Sequence, residues 1–263
     1  METAALKDRE REKTGPEAAV ERALDVSLIV IRNGGSTTMA ERTFGNVLAA
    51  HGVSDISTAW RLDLVTAGGG AEGQSWTVMK PVGPIGINLV RASQAAALAE
   101  RAARGEISGA ALEAEVARLK DLAPPYNRWV MTAAAAFTAA VSSQLLGRDW
   151  GALGITFVAG GIGQFCRSLL QARKLEVAPV TLIAALISAC LAALGLRAGL
   201  SQAAPATLIA SVFYMIPGLP LINGFIDAVS HRHLFVGLER MANAAFLFMI
   251  LAVAVTFAYA FVM

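Results

Sequence analysis

Residues 213–229 read FYMIPGLPLINGFIDAV, and this stretch decides what kind of protein the chain is. It is apolar enough for lipid, yet it carries Pro217, Gly218, Pro220, Asn223, Gly224 and Asp227. An Asp near the centre of a membrane helix costs about 2.5–3.5 kcal/mol on insertion scales, and each proline removes a backbone hydrogen bond that no water replaces. Such a helix either ends at the membrane surface, where Asp227 meets water, or lines a path. Asn223 and Asp227 are spaced i, i+4 and share a helix face, with Pro220 and Gly224 beside it. A kink at Pro217-Gly218 would free carbonyls at the same level, which is tolerated only against protein or a wet cavity. An ionisable residue inside a span is by default a candidate functional site.

Outward from this stretch the chain divides into two regimes. Hydrophobic residues make up 55% and the mean hydropathy is +0.54, while the 16% charged residues lie mostly early. Residues 1–128 are mixed; from Trp129 onward long apolar runs alternate with short polar punctuation. The pattern predicts a polytopic α-helical membrane protein of about five transmembrane helices, preceded by a small cytoplasmic α/β domain. Boundaries fall at 1–16 for a disordered tail, 17–125 for the α/β domain and 126–263 for the transmembrane domain. The spans are placed at about 129–146, 150–170, 177–196, 205–229 and 241–262, each near the roughly 20 residues that cross a bilayer core. A net charge of +2 without a basic run gives no reason to expect nucleic acid. The charged N-terminus lacks the apolar core of a secretory signal. Cys166 and Cys190 read as small hydrophobes, and no His/Cys/carboxylate spacing suggests a metal.

Lys and Arg in the loops suggest an orientation. Arg167, Arg173 and Lys174 follow span two, and Arg232 and Arg240 follow span four, against Arg148 and Arg197 on the other side. The positive-inside rule then puts the N-terminus in the cytoplasm and Met263 outside. Span two carries Gly160, Gly161 and Gly163 with Gln164 beside them. Small residues allow close helix packing; alternatively, the helix is interrupted and lines a path, as paired broken helices do in transporters.

The first half reads as a helix over 18–31 ending at Asn33-Gly34-Gly35. A second helix opens at Thr38, where T-M-A-E forms a capping box with Glu41, and closes at His51-Gly52. ISTAWRLDLV alternates as one strand, AGGGAEGQ reads as a turn and SWTVMKPV as the partner strand. Helices follow over 88–104 and 108–122, the latter with Ile107 and Leu112 at hydrophobic-staple positions, and Pro124-Pro125 ends the region. GGST before a helix is either a turn with a cap or an anion site. His231-Arg232-His233 reads as interfacial rather than metal-binding.

PGLPLINGFIDAV followed by GLERMANA resembles the P-G-x-x-x-x-N-x-x-x-D … G-x-x-R segment of the threonine/serine exporter (ThrE-like) family. GGSTTMAERTF with a helix ending HGV, the APPYNRW approach to span one and the glycine-rich span two are similar to that family as well. The resemblance covers roughly residues 20–262. One departure is His231-Arg232-His233, where the family pattern leads one to expect a glycine soon after the Asp.

The resemblance implies an inner-membrane subunit of a secondary exporter of small polar metabolites, threonine or serine first, coupled to the proton gradient without a bound cofactor. It also implies the split form of the family, completed by a small second membrane protein within an oligomer in the bilayer. The pathway residues expected on this reading are Pro217, Gly218, Asn223, Asp227, Gly160, Gly161, Gly163 and Gln164, supported by Pro220, Gly224, Gly237, Glu239 and Arg240. Asp227 would move a proton or meet a substrate ammonium, and Arg240 or Glu239 would pair nearby. A small dicarboxylate is the alternative substrate, in which case Arg240 or Arg167 would face it. A membrane-anchored enzyme or sensor acting through the first half is the rival from another class; no nucleophile elbow or metal spacing supports it.

Overall fold

A computed structural model describes residues 15–71, 74–173, 175–260 and 262. The tail expected to be disordered lies outside the described residues up to position 14; Gly15 caps the first helix, which opens with Pro16. The chain divides into two compact units. One comprises residues up to Pro125 together with Leu219–Met241, the other Tyr126–Gly218 with residues from Ala242 onward. The apolar second half therefore does not cluster as one piece.

In the first unit, helices α1 (Pro16–Arg32) and α2 (Thr37–Ala50) precede strands β1 (Ser57–Trp60), β2 (Leu64–Ala71) and β3 (Gln74–Pro81). Helices α3 (Leu89–Ala103) and α4 (Gly109–Lys120) follow. Helix α1 carries Glu17, Glu21, Arg22 and Asp25 in its first turns and is buried all round from Val26 to Ile31. Its Val20, Leu24, Leu28 and Ile31 are fully enclosed, packed with Phe44 and Val47 of α2, Leu98 of α3 and Leu112, Val116 and Leu119 of α4. Ile107 and Leu112 belong to the same cluster, as the staple spacing predicts.

The sheet is an antiparallel meander in the order β1-β2-β3, with Trp60 opposite Val65 and Gly68 opposite Thr77. This corrects the single strand read through ISTAWRLDLV. The chain turns at Arg61–Asp63, closed by Arg61 N–H donating to the Leu64 carbonyl at 3.1 Å. Of the stretch read as a turn, Gly68, Gly69 and Gly70 lie inside β2, and positions 72–73 lie outside the described residues. A Cβ at Gly69 would stand 2.8 Å from Ile56 Cδ1 and 2.9 Å from Trp76 Cζ2.

The second unit is built from α5 (Arg128–Gly147), α6 (Trp150–Ala172), α7 (Val177–Arg197), α8 (Ala204–Val212) and the later part of α10 (Leu234–Ala260). Among the described residues four helices, α5, α6, α7 and α10, are long and apolar enough to cross a membrane, or up to five spans if one broken pair counts as a span. That pair is the fourth expected span. Helix α8 passes into a 3₁₀ turn at Phe213–Met215, and α9 (Gly218–Val229) starts only after Ile216-Pro217. The proline has no N–H to continue the ladder. The fifth helix begins earlier than the expected 241. Alanines 184, 185, 189, 192 and 193 of α7 form the core with Leu208, Leu251, Ala254 and Ala258. Such small residues let backbones approach, which is what packs helices in lipid.

Asp149 caps α6, accepting from Gly151 N–H at 2.9 Å and Gln202 N–H at 3.1 Å, and from the Ser201 hydroxyl. These donors, the Ser201 hydroxyl first, hold its carboxyl below the usual carboxylate range. A folded-state value below the unfolded one contributes stability above the unfolded pKa of about 3.9, lost as pH falls through the folded value. Asp149→Asn is expected to lower the Tm of the detergent-solubilised protein at pH 7 and to flatten its fall on acidification. Matching Tm-versus-pH curves for both proteins would remove this role.

Candidate functional site

Two polar clusters stand out, one in each unit. The first surrounds Asp227 on α9, which is completely enclosed. Thr37 N–H donates to Oδ1 at 3.0 Å and to Oδ2 at 3.2 Å, and the Thr37 hydroxyl donates to Oδ2 at 2.9 Å. Thr38 adds its N–H at 3.3 Å and its hydroxyl at 3.5 Å, both to Oδ1. Arg240 Nε lies 3.1 Å from Oδ2, close enough for an ion pair although it is not aligned as a hydrogen bond. The carboxylate thus sits on the N-terminus of α2, where exposed N–H groups and the helix dipole favour an anion. Both readings of GGST are seen together: the glycines turn the chain, Ser36 caps α2, and the anion at that helix start is the chain's own Asp227.

Neighbouring glycines make this approach possible. Asn223 Nδ2 donates to the Gly34 carbonyl at 2.7 Å, and Arg240 Nη2 to the Gly35 carbonyl at 3.3 Å. Gly34 has φ +92, a conformation that a side chain resists, and a Cβ on Gly35 would collide with Val30. On the opposite side, a Cβ at Gly224 would stand 2.9 Å from Met241 Cγ and 3.0 Å from the Gly237 carbonyl. One at Gly237 would stand 2.6 Å from the Gly224 carbonyl. The contact of Gly224 with Gly237 brings Arg240 to Asp227.

The expected capping box is corrected. Ser36, not Thr38, caps α2, accepting from Met39 N–H at 3.2 Å. Thr38 is spent on Asp227, and Glu41 reaches Arg232 and the buried His233, each at 3.1 Å. His231 takes φ +56, so the backbone keeps a glycine-type turn at this position although the residue is histidine. Of the expected site residues, Asn223, Gly224, Asp227, Gly237 and Arg240 meet here, whereas Glu239 is only half-buried nearby. Pro220 sits in the first turn of α9, where a missing N–H is tolerated. Pro217 and Gly218 form the break itself, with Gly218 N–H donating to the Ile216 carbonyl at 2.8 Å. Thr37 and Thr38 were not expected; their signal was the GGST stretch.

The second cluster lies on α6, which is one continuous helix, so the interrupted reading of span two is corrected. Its glycines serve packing. A Cβ at Gly160 would stand 2.6 Å from Ala139 Cβ, and one at Gly161 3.3 Å from Ala136 Cβ, both on α5. A Cβ at Gly163 would strike Ser188 Oγ and Tyr214 Oη, which lie 3.1 Å apart. Gly160, Gly163, the buried Gln164 and Arg167 share one face of α6 by their i, i+3 and i, i+4 spacing. Arg167 is inside α6 rather than in the loop after it, with Tyr214 as its electrostatic neighbour. Its Nε is buried without a hydrogen-bond partner, and among the described residues no carboxylate pairs with it. Tyr214 and Ser188 were not anticipated, although Tyr214 lies in the stretch that opened the reading. Among the described residues no group of three His, Cys, Asp or Glu could hold a metal.

The chain resembles known proteins over nearly its whole length. The family model described as "Putative threonine/serine exporter" (ThrE) matches residues 21–262. A Klebsiella aerogenes protein named "Probable succinate transporter subunit YjjP" is 22% identical over 237 residues, covering 90% of this chain and 91% of its own. An Escherichia coli (strain K12) protein of the same name is 23% identical over 248 residues, covering 94% of this chain and 96% of its own. No solved structure matches the chain.

Removing one partner of a buried pair leaves the other charge uncompensated, typically a loss of about 3–5 kcal/mol. Asp227→Ala and Arg240→Ala are each expected to destabilise the purified protein by that order, and Asp227→Leu/Arg240→Met by clearly less than either. Thermal or denaturant unfolding in detergent measures this; a double variant as unstable as the sum of the singles would contradict it. Gly163→Ala is expected to lower Tm through the Ser188–Tyr214 contact, and adding Ser188→Gly should recover part of the loss.

Proposed function

The chain belongs to the threonine/serine exporter family, and from that premise we propose that it is one subunit of an inner-membrane exporter of small dicarboxylates. The observation that carries this reading is the charge pattern of the second unit. Among the described residues Arg167 is a cation without an acidic partner, and the helices of that unit (α5, α6, α7, α8 and residues 242–260) contain no Asp or Glu. The acids of that unit, Asp149 and Glu176, lie in the connections that open α6 and α7. A planar guanidinium suits a carboxylate bidentately, and the Tyr214 and Ser188 hydroxyls beside it offer further donors. Gln164, one turn earlier on the same face, extends this lining.

Threonine or serine has a carboxylate too, but its ammonium would find no acidic partner among these helices. Asp227, the sequence-based candidate for that role, is already compensated by Arg240, Thr37 and Thr38. Its role on this reading is to hold α9 and the start of α10 against the Asn33–Thr38 segment. Two relatives carry succinate in their names, which supports the same choice.

A separate small membrane protein completes the transporter. The support is the word subunit in the relatives' names and the apolar surface that the second unit leaves bare, including Phe137, Leu145, Phe246 and Val253. We place the N-terminus in the cytoplasm and the C-terminus outside, on the loop charges Arg173 and Arg232. No resident cofactor takes part. The electrical part of the proton gradient supplies the driving force: since these helices offer no acid, the substrate's second carboxyl group keeps its own proton, and the substrate leaves the negative interior as a monoanion.

Proteoliposomes holding this chain and its partner test the reading by counterflow of succinate, threonine and serine. Arg167→Gln, at normal membrane levels, is expected to reduce succinate flux at least about tenfold, the effect of losing a charge-assisted contact, with Arg167→Lys in between. Flux of threonine but not of succinate, or an Arg167→Gln variant as active as wild type, would refute it.

A further inference from the structure

The first unit contains an open cleft of ≈ 530 Å³ walled by Arg32, Arg91 and Lys120, with Ile29, Asn33 and Ile85 between them. Among the described residues no acidic side chain lines it. Both guanidiniums are held by neutral acceptors. Arg32 donates through Nε to the Val82 carbonyl and through Nη2 to the Pro81 carbonyl, and Arg91 donates through Nη2 to the Leu122 carbonyl. Carbonyls fix an arginine in place without cancelling its charge. Lys120 has one distant carboxylate, Asp25 at 3.5 Å, which is shared with Lys80. Arg91 Nε is buried and has no hydrogen-bond partner. A buried donor left unpaired is costly, and more so on a charged group, so an anionic acceptor would complete it.

We propose that this cleft is a binding site for a small dianion. One oxyanion group meets Arg91 and Arg32, the second meets Lys120, and the Ile29 and Ile85 side chains flank a short carbon skeleton. A dicarboxylate and a phosphate share this chemistry. The site is distinct from Arg167 and does not rest on the assignment of the transported substrate.

Its place in the fold gives it a regulatory consequence. The cleft wall includes Arg32 and Asn33, whose carbonyls accept from Gly86 N–H at 2.8 Å and Asn88 N–H at 3.0 Å. The next two residues, Gly34 and Gly35, accept from Asn223 and Arg240. A dianion bound here braces the segment that holds the Asp227 network, so its concentration adjusts the stability of that network.

The test is calorimetric titration of the full chain in lipid nanodiscs with sodium succinate, inorganic phosphate and, as monoanion control, sodium acetate. Wild type is compared with Arg91→Gln, with Lys120→Gln at an exposed position that leaves the fold intact, and with Arg167→Gln. Saturable binding of succinate or phosphate is expected in wild type and in Arg167→Gln. Binding should weaken about tenfold or more in Arg91→Gln and measurably in Lys120→Gln, with acetate far weaker than either dianion. The tighter of succinate and phosphate identifies the source. Absence of saturable binding in wild type overturns the proposal, as do unchanged affinity in both Arg91→Gln and Lys120→Gln, loss of binding in Arg167→Gln, or acetate binding as tightly as succinate.

Discussion

A carboxylate with no exposure to solvent must be compensated on every side, and the enclosure of Asp227 imposes that requirement on residues far apart in sequence. Its partners are the first turn of α2 and a guanidinium from α10. Several features otherwise unrelated follow from it. Gly34 and Gly35 turn the chain so that Thr37 and Thr38 present their N–H groups. Gly224 and Gly237 let α9 and α10 touch so that Arg240 reaches the oxygens. Ser36 takes over the capping of α2, which releases both threonines to face the anion. A charge here costs too much to be left alone, and its neighbours are selected by that cost.

Two arginines of the apolar half, the buried Arg240 and the half-buried Arg167, make an instructive contrast. Arg240 has a carboxylate at 3.1 Å and a backbone acceptor, so its charge is paired although its Nε makes no aligned hydrogen bond. Arg167 has a buried Nε with no acceptor and only a tyrosine for electrostatic company. Ionisable groups in membrane helices are costly enough that an unpaired one calls for a purpose beyond packing. By this criterion the candidate for contact with a transported anion is on α6. The most conspicuous polar stretch of the sequence, on α9, serves to bind the chain to itself.

The sequence made some of this legible and hid the rest for identifiable reasons. Helix periodicity found α1, α3 and α4 to within a few residues, because each buries a continuous apolar face. Hydropathy found the four helices that are long and apolar enough to cross a membrane, but read as one span the fourth stretch, which the chain breaks at Ile216-Pro217. It could not reveal that α9 clusters with the first unit, since apolar surface buried against protein and against lipid reads the same. Local alternation joined β1 to β2 because Trp60, Leu62 and Leu64 keep period two through a turn. The glycines of β2 read as a turn because Ile56 and Trp76, which demand them, lie elsewhere in the chain. The i, i+4 relation of Asn223 and Asp227 was visible, but their partners at Gly34, Thr37 and Thr38 were not, since nothing local specifies contacts nearly two hundred residues apart. The histidine at 231 concealed a left-handed backbone position that a glycine would have announced.

Discrimination between an amino acid and a dicarboxylate rests, on the proposed reading, on what the helices lack as much as on what they contain. An apolar helix set with one cation away from its helix ends, Arg167, and several hydroxyls lowers the cost of bringing a carboxylate out of water, but does nothing for an ammonium. Burial of an unpaired ammonium costs several kcal/mol, more than neutral hydroxyl or carbonyl acceptors recover. A dicarboxylate avoids that cost if its second group is protonated, because a neutral carboxyl needs only hydrogen bonds of the kind that Tyr214, Ser188 and Gln164 can supply. Selectivity would then follow from the absence of Asp and Glu from these helices. Placing one acid on the α6 face beside Arg167 would both cancel the cation and create an ammonium partner, moving preference toward the zwitterion by two effects at once.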